Sequence, residues 1–214
     1  MIPLVHDFDG ETVVVFGGGT VGARKARRFA REARVVVVSP AFADADFGES
    51  EFVRAAPAPA DVSAWLDAAD PALVVAATDD DALNAAIASA ATDRGTLVNR
   101  ADRSGDRGRG SVVVPATVED GPVIVAVTTS GTSPAVSRHL RQELASVIDG
   151  AGVVATVVGE LRSELKGREV DPERRRAAIR AVAESAAVWT AARDVGTETA
   201  VRDAADRVVV DALD

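Results

Sequence analysis

The chain has 214 residues, of which 47% are hydrophobic, enough for one large domain or two modest ones with buried cores, and this excludes wholesale disorder. The absence of cysteine, with only two histidines (His6 and His139), excludes a disulfide scaffold, a thiol nucleophile, a Cys-ligated cluster and a His-rich metal centre. A formal net charge of −9 disfavours nucleic acid as a partner. No apolar run reaches membrane-spanning length and the N-terminus MIPLVHDFDG lacks a signal-peptide pattern, so a cytoplasmic location without a membrane partner is expected.

The first hundred residues alternate strand and helix. Glu11 to Phe16 (ETVVVF) reads as a buried strand ending at a glycine cluster, and Val21 to Glu32 as a helix rich in arginine. A second strand, Arg34 to Val38, stops at Ser39-Pro40. Between Pro57 and Asp70 the pattern suggests a weak strand and a short helix around Trp65. Leu73 to Ala77 is a third strong strand, Asp81 to Arg94 a helix stopped by Gly95, and Thr96 to Asn99 a further strand. This alternation predicts parallel βαβ units in a doubly wound α/β sheet.

After Asn99 the pattern changes. Arg100 to Gly110 has no apolar periodicity and reads as a loop. Ser111 to Pro115 and Pro122 to Thr128 read as strands around a turn at Glu119-Asp120-Gly121, and Thr129 to Pro134 as a polar loop before a helix over Ala135 to Ile148. The remainder is predicted all-helical, over Val153 to Lys166, Pro172 to Arg193 and Thr197 to Leu213, with Asp171-Pro172 as a helix start.

Gly17, Gly19 and Gly22 satisfy G-x-G-x-x-G between a strand and a helix, where the pattern has its mechanism. The first glycine permits the turn, the second lets backbone approach a pyrophosphate, and the third lets helix pack on strand. Helix N–H groups then face the phosphates. An acidic residue that would hold the ribose hydroxyls is expected about 20 residues later, and Val38-Ser39-Pro40 stands there instead. Ser39 is a candidate ribose contact. Arg24 and Lys25 read either as contacts to a 2′-phosphate or as a solvated first helical turn.

GGGTVGARKAR after the first strand, AATDDDALN after the third, NRAD after the fourth and TSGTSPAVSRHLR near residue 130 occur in order. Together they resemble the precorrin-2 dehydrogenase family, the dehydrogenase/ferrochelatase part of siroheme synthases, from about Leu4 to Leu144. The resemblance implies oxidation of precorrin-2 to sirohydrochlorin with NAD as hydride acceptor, with insertion of Fe²⁺ left open because no metal-ligand spacing is visible. It implies a Rossmann-like domain over residues 1–110, a small α/β dimerisation segment over 111–150 of a homodimer, and a helical C-terminal domain over 151–214. Cofactor contacts fall on Thr20, Val21, Pro40 and Ala41 beside the glycines and Ser39, with Thr78 at the end of the third strong strand. The family's Asn-x-x-Asp aspartate falls on Asp102, and a phosphorylatable serine on Thr129.

The residues support that chemistry. Asp102 follows a parallel strand on the ligand-binding edge of such sheets, where an ionised carboxylate can take a proton. Arg100, Arg103, Arg107 and Arg109 crowd one loop of an acidic chain, and Arg138 follows the TSGTSP segment. Arg100, Arg103 and Arg138 are candidate partners for the substrate's carboxylates. Ser130, Thr132 and Ser133 are candidates for a backbone nest for another carboxylate, although helix capping alone also accounts for Ser133. The alternative reading is a non-catalytic NAD(H)-sensing regulatory domain.

Overall fold

The computed structural model describes residues 2–102 and 108–214, which form two compact units, Met1–Val114 and Pro115–Asp214. The first contains β1 (Thr12–Phe16), α1 (Thr20–Phe29), β2 (Arg34–Ser39), β3 (Ser50–Arg54), α2 (Val62–Ala69), β4 (Leu73–Ala76), α3 (Asp81–Arg94) and β5 (Leu97–Arg100). The five strands pair in parallel in the order β3-β2-β1-β4-β5. The chain therefore winds outward both ways from β1, leaving a switch point between β1 and β4.

The valine runs arise because parallel strands are covered on both faces. Val14, Phe16, Val74 and Ala76 pack with Leu66 of α2 and Ile87 of α3. Val13, Val15, Leu73 and Val75 alternate to the other face and meet Ala23 and Ala26 of α1. Each fully buried valine or leucine contributes about 1.5–3 kcal/mol relative to exposure. At the entry to α3, Asp80 accepts hydrogen bonds from the Ala82 and Leu83 amides, and Gly95 ends the helix at φ 73°.

The second unit opens with an antiparallel hairpin, β6 (Ala116–Asp120) and β7 (Val123–Val127). Helices α4 (Pro134–Val147), α5 (Ala151–Gly167), α6 (Pro172–Glu184), α7 (Ala186–Asp194) and α8 (Glu198–Leu213) follow. Val157, Leu165, Val182, Val188, Val201 and Ala205 form the core of the α5–α8 bundle. On its surface Arg202 of α8 donates to Glu164 of α5 at 2.8 Å and to Asp206 at 3.0 Å. The hairpin is fixed to the bundle where the Gly152 amide donates to Asp120 Oδ2 at 2.9 Å.

Several expected elements shift. The weak strand expected after Pro57 lies earlier, as edge strand β3, and a 3₁₀ turn over Pro59–Asp61 precedes α2. Ser111 to Pro115 forms no strand; Ser111 makes one bridge to Val98, and the hairpin's first strand begins at Ala116, with its turn after Asp120. The helix expected over Pro172 to Arg193 breaks at Ser185, whose extended backbone (ψ 119°) ends α6. The Trp189 indole N–H donates to Ala183 O at 2.8 Å across that break.

Helix α1 carries a charge at odds with its packing. Burial, aided by Arg24 and Arg28, pushes the half-buried Lys25 amine down to about 8. Between pH 8 and the unfolded value near 10.4, the unfolded chain holds a proton that the folded chain has released, so stability rises with pH across that window. With no cysteine or tyrosine to titrate there, the effect can be isolated. Denaturant melts should gain about 1–2 kcal/mol from pH 8 to 10, and Lys25→Met should remove most of the gain while raising stability at pH 7.

Candidate active site

The glycine loop is shaped by backbone contacts on three sides. A Cβ at Gly17, where φ is 120°, would lie 2.2 Å from Ala77 O at the end of β4. At Gly22 it would lie 1.9 Å from Gly17 O, so the first and third glycines of the motif press directly against each other. Gly18, an unspecified position of the motif, is equally constrained: its Cβ would meet Ala41 O at 2.2 Å. At Gly19, by contrast, nothing lies within 4 Å. The space left open above Gly19 is where the motif lets a ligand approach backbone.

Gly19 is also the N-cap of α1, which has no side-chain cap and no acidic residue in its first turn. A first turn in that condition, with Thr20 and Val21 exposed, suits an anion. The adjoining cleft of about 500 Å³ is lined by Gly17, Gly19, Ser39, Pro40, Ala41 and Thr78 among others, which brings most of the predicted cofactor residues to one place. Two of them are already engaged. The buried Ser39 hydroxyl donates to Ala41 O at 2.7 Å, and Thr78 is locked by Asn84, whose Oδ1 accepts from the Thr78 hydroxyl at 2.8 Å and whose Nδ2 donates to Thr78 O at 2.9 Å.

Arg54 was not singled out by the sequence. The β2–β3 register sets it opposite Ser39, where its guanidinium donates to Pro40 O at 3.0 Å and lies 5.4 Å from the centre of the Phe42 ring. The signal that would have found it, the edge strand, is too polar to read as one.

Asp102 follows β5 by two residues, at the carboxyl edge of the same sheet. Its carboxylate is gripped by Arg100: Nε donates to Oδ1 at 3.0 Å and an Nη donates to Oδ2. The two side chains are only 15% and 17% exposed. The hydrogen bond to Asp102 holds the Arg100 guanidinium above its ordinary pKa, and Asp81 adds to the effect. The neighbouring Asn99 donates from Nδ2 to Val112 O at 2.8 Å, and its buried Oδ1 has no partner among the described residues. Arg103 and Arg107 lie outside the described residues.

In the second unit, the polar loop before α4 satisfies itself. The Ser130 amide donates to Thr128 Oγ1 at 3.1 Å, Thr132 to Thr129 O at 2.9 Å and Ser133 to Thr129 Oγ1 at 3.1 Å. These three amides, which a carboxylate nest would need, are already bonded. Ser133 Oγ accepts from the Val136 amide at 3.3 Å, the cap expected of it. Ser130, Thr132 and Arg138 are exposed.

A doubly wound sheet with an uncapped glycine-loop helix over a switch-point cleft defines an NAD(P)-binding protein, and residues 4–116 match the family model described as putative NAD(P)-binding. A precorrin-2 dehydrogenase of Methanosarcina barkeri is 32% identical, over 88% of this chain and 85% of that protein. The chain belongs to the precorrin-2 dehydrogenase family. Siroheme synthases of Sodalis glossinidius and Stutzerimonas stutzeri are 35% and 33% identical over 78% and 82% of the chain, which spans only 35% and 37% of their lengths. The solved structure of SirC, a precorrin-2 dehydrogenase, has the same fold, with a TM-score of 0.71 at 22% identity, covering 97% of this chain and 98% of that one.

The glycines can be told apart by substitution. Gly19→Ala should melt within a few degrees of wild type yet bind NAD at least about tenfold more weakly, as read by calorimetry. Gly17→Ala and Gly22→Ala should each cost about 2–4 kcal/mol of stability or fail to fold. Loss of folding in Gly19→Ala would remove its assignment to the ligand.

Proposed function

We propose that the chain is an NAD-dependent precorrin-2 dehydrogenase that produces sirohydrochlorin for siroheme and related tetrapyrroles. The observation that carries this reading is that Asp102 emerges at the carboxyl edge of the very sheet that holds the glycine-loop cleft. The family relationship supports it across both units, and the reach of the similarity beyond the dinucleotide domain favours an enzyme over a bare NAD(H)-sensing module.

In this reading the N-terminal turn of α1, with Gly19, Thr20 and Val21, holds the pyrophosphate through backbone N–H groups and the helix dipole. Pro40, Ala41 and Thr78 line the remainder of the dinucleotide site, where NAD would serve as the hydride acceptor when bound. Asp102 takes the accompanying proton, for which an ionised carboxylate is ready at neutral pH. Arg100 and Arg103 of the first unit are the proposed partners for carboxylates of the macrocycle, and Arg138 of the second unit is a candidate for the same chemistry. Ser130, Thr132 and Ser133 are candidate substrate contacts through their hydroxyl groups, since their own amides are already bonded.

An anaerobic assay with enzymatically generated precorrin-2 tests this, following the sirohydrochlorin absorption band. Asp102→Asn should lower kcat by about 10²–10⁴-fold while NAD affinity stays at the wild-type value. A full rate in that variant would place the base elsewhere.

We also infer a cytoplasmic homodimer. Among the described residues no single helix is long and apolar enough to cross a membrane. Helix α4 buries none of its residues within the chain, and Val136, Leu140 and Val147 on it are 47%, 41% and 60% exposed, as is Ile124 of β7 at 56%. These positions recur at helical spacing, and a continuous apolar stripe of that kind suits a partner's surface. Sedimentation of a Val136→Asp/Leu140→Asp double variant should give a folded monomer where wild type gives a dimer.

A further inference from the structure

The sequence gives Arg100 and Asp102 separate tasks, one holding a substrate carboxylate and the other taking a proton. In the structure each group is engaged by the other. The guanidinium forks onto both carboxylate oxygens, with 3.0 Å between Nε and Oδ1 and a second bond from Nη to Oδ2, and both side chains are largely shielded from water. A carboxylate held in this way is a weak base, because the pairing favours its ionised form. A guanidinium held in this way has its forked face filled and cannot receive another carboxylate in the same geometry.

Resting on the assignment of Asp102 as the base, we propose that Arg100 is a positioning residue that latches Asp102 until a carboxylate of the bound tetrapyrrole takes its place on the guanidinium. The exchange swaps one guanidinium–carboxylate pair for another, so the number of paired charges is conserved while the proton affinity of Asp102 rises. Asp81, at the start of α3, lies close enough to act on Arg100 and favours the charged guanidinium. Among the described residues, Asp81 of α3 is the charged group outside the pair that acts on Arg100. Basicity is delivered only with a seated substrate, and a macrocycle lacking the displacing carboxylate binds without releasing the latch. The substrate's remote carboxylate is thereby read in kcat as well as in KM.

The pH–rate profiles of the intact enzyme with precorrin-2 and NAD test the latch. The acid limb of kcat/KM reports the free enzyme and that of kcat the substrate complex. In wild type the kcat limb should lie at higher pH, by about one unit or more. In Arg100→Gln the kcat/KM limb should move up to meet the kcat limb and KM should rise about tenfold. Arg100→Lys, which keeps the charge without the fork, should restore part of the separation even if the glutamine variant folds poorly. Coincident limbs in wild type, or an Arg100→Gln variant that loses kcat without moving either limb, would overturn the latch while leaving Asp102 as base. Full activity in Asp102→Asn would overturn the base and the latch together.

Discussion

The nucleotide half of this protein depends on one steric constraint, the direct approach of backbone to backbone around the glycine loop. Gly22 sits against the Gly17 carbonyl, Gly17 against the Ala77 carbonyl and Gly18 against the Ala41 carbonyl. These contacts draw the ends of β1, β2 and β4 toward the start of α1, and the cleft is what remains between them. Because no side chain intervenes, the α1 terminus opens onto the cleft with its N–H groups unobstructed by a cap. The dinucleotide function thus follows from what three positions lack.

The remaining site chemistry is built by pairing polar groups over the same sheet edge. Asn84 holds Thr78, Ser39 holds Ala41 and Arg100 holds Asp102. Each interaction ties a residue at a strand end to a neighbour, which suits an edge where hydrogen-bonding groups would otherwise be left unsatisfied. Asn99 Oδ1 is the exception among the described residues, a buried acceptor without a donor one residue before Arg100. Ordered polar contacts at one end of an apolar sheet give the site its shape without enlarging the core.

The fold was legible where burial is two-sided. β1, β2 and β4 announce themselves as valine runs because both faces are covered. Edge strand β3 does not, since Glu51 and Phe52 are exposed and Ser50 and Arg54 are polar, and with it went the position of Arg54 beside Ser39. The break at Ser185 carries neither glycine nor proline; it is set by the packing of α6 and α7 on α5 and α8, which a local pattern cannot encode. The glycine motif identified the loop, yet its unspecified second position hid the constraint at Gly18. Asp102 and Arg100 were each legible as residue types, but their pairing was not, because a charge two residues away on a loop has no periodicity to betray it.

The attachment of the hairpin to the helical bundle has a mechanical consequence. Gly152 meets Asp120 twice, through its amide to the carboxylate and through a backbone approach so close that a Cβ there would lie 2.6 Å from the Asp120 carbonyl. The junction is stiff in compression and held in tension, so β6 and β7 cannot tilt without carrying the first turn of α5 along. The hairpin is in effect a handle on a lever whose arm is the seventeen-residue helix α5, about 25 Å long. A rotation imposed at the hairpin is passed through that junction to the first turn of α5.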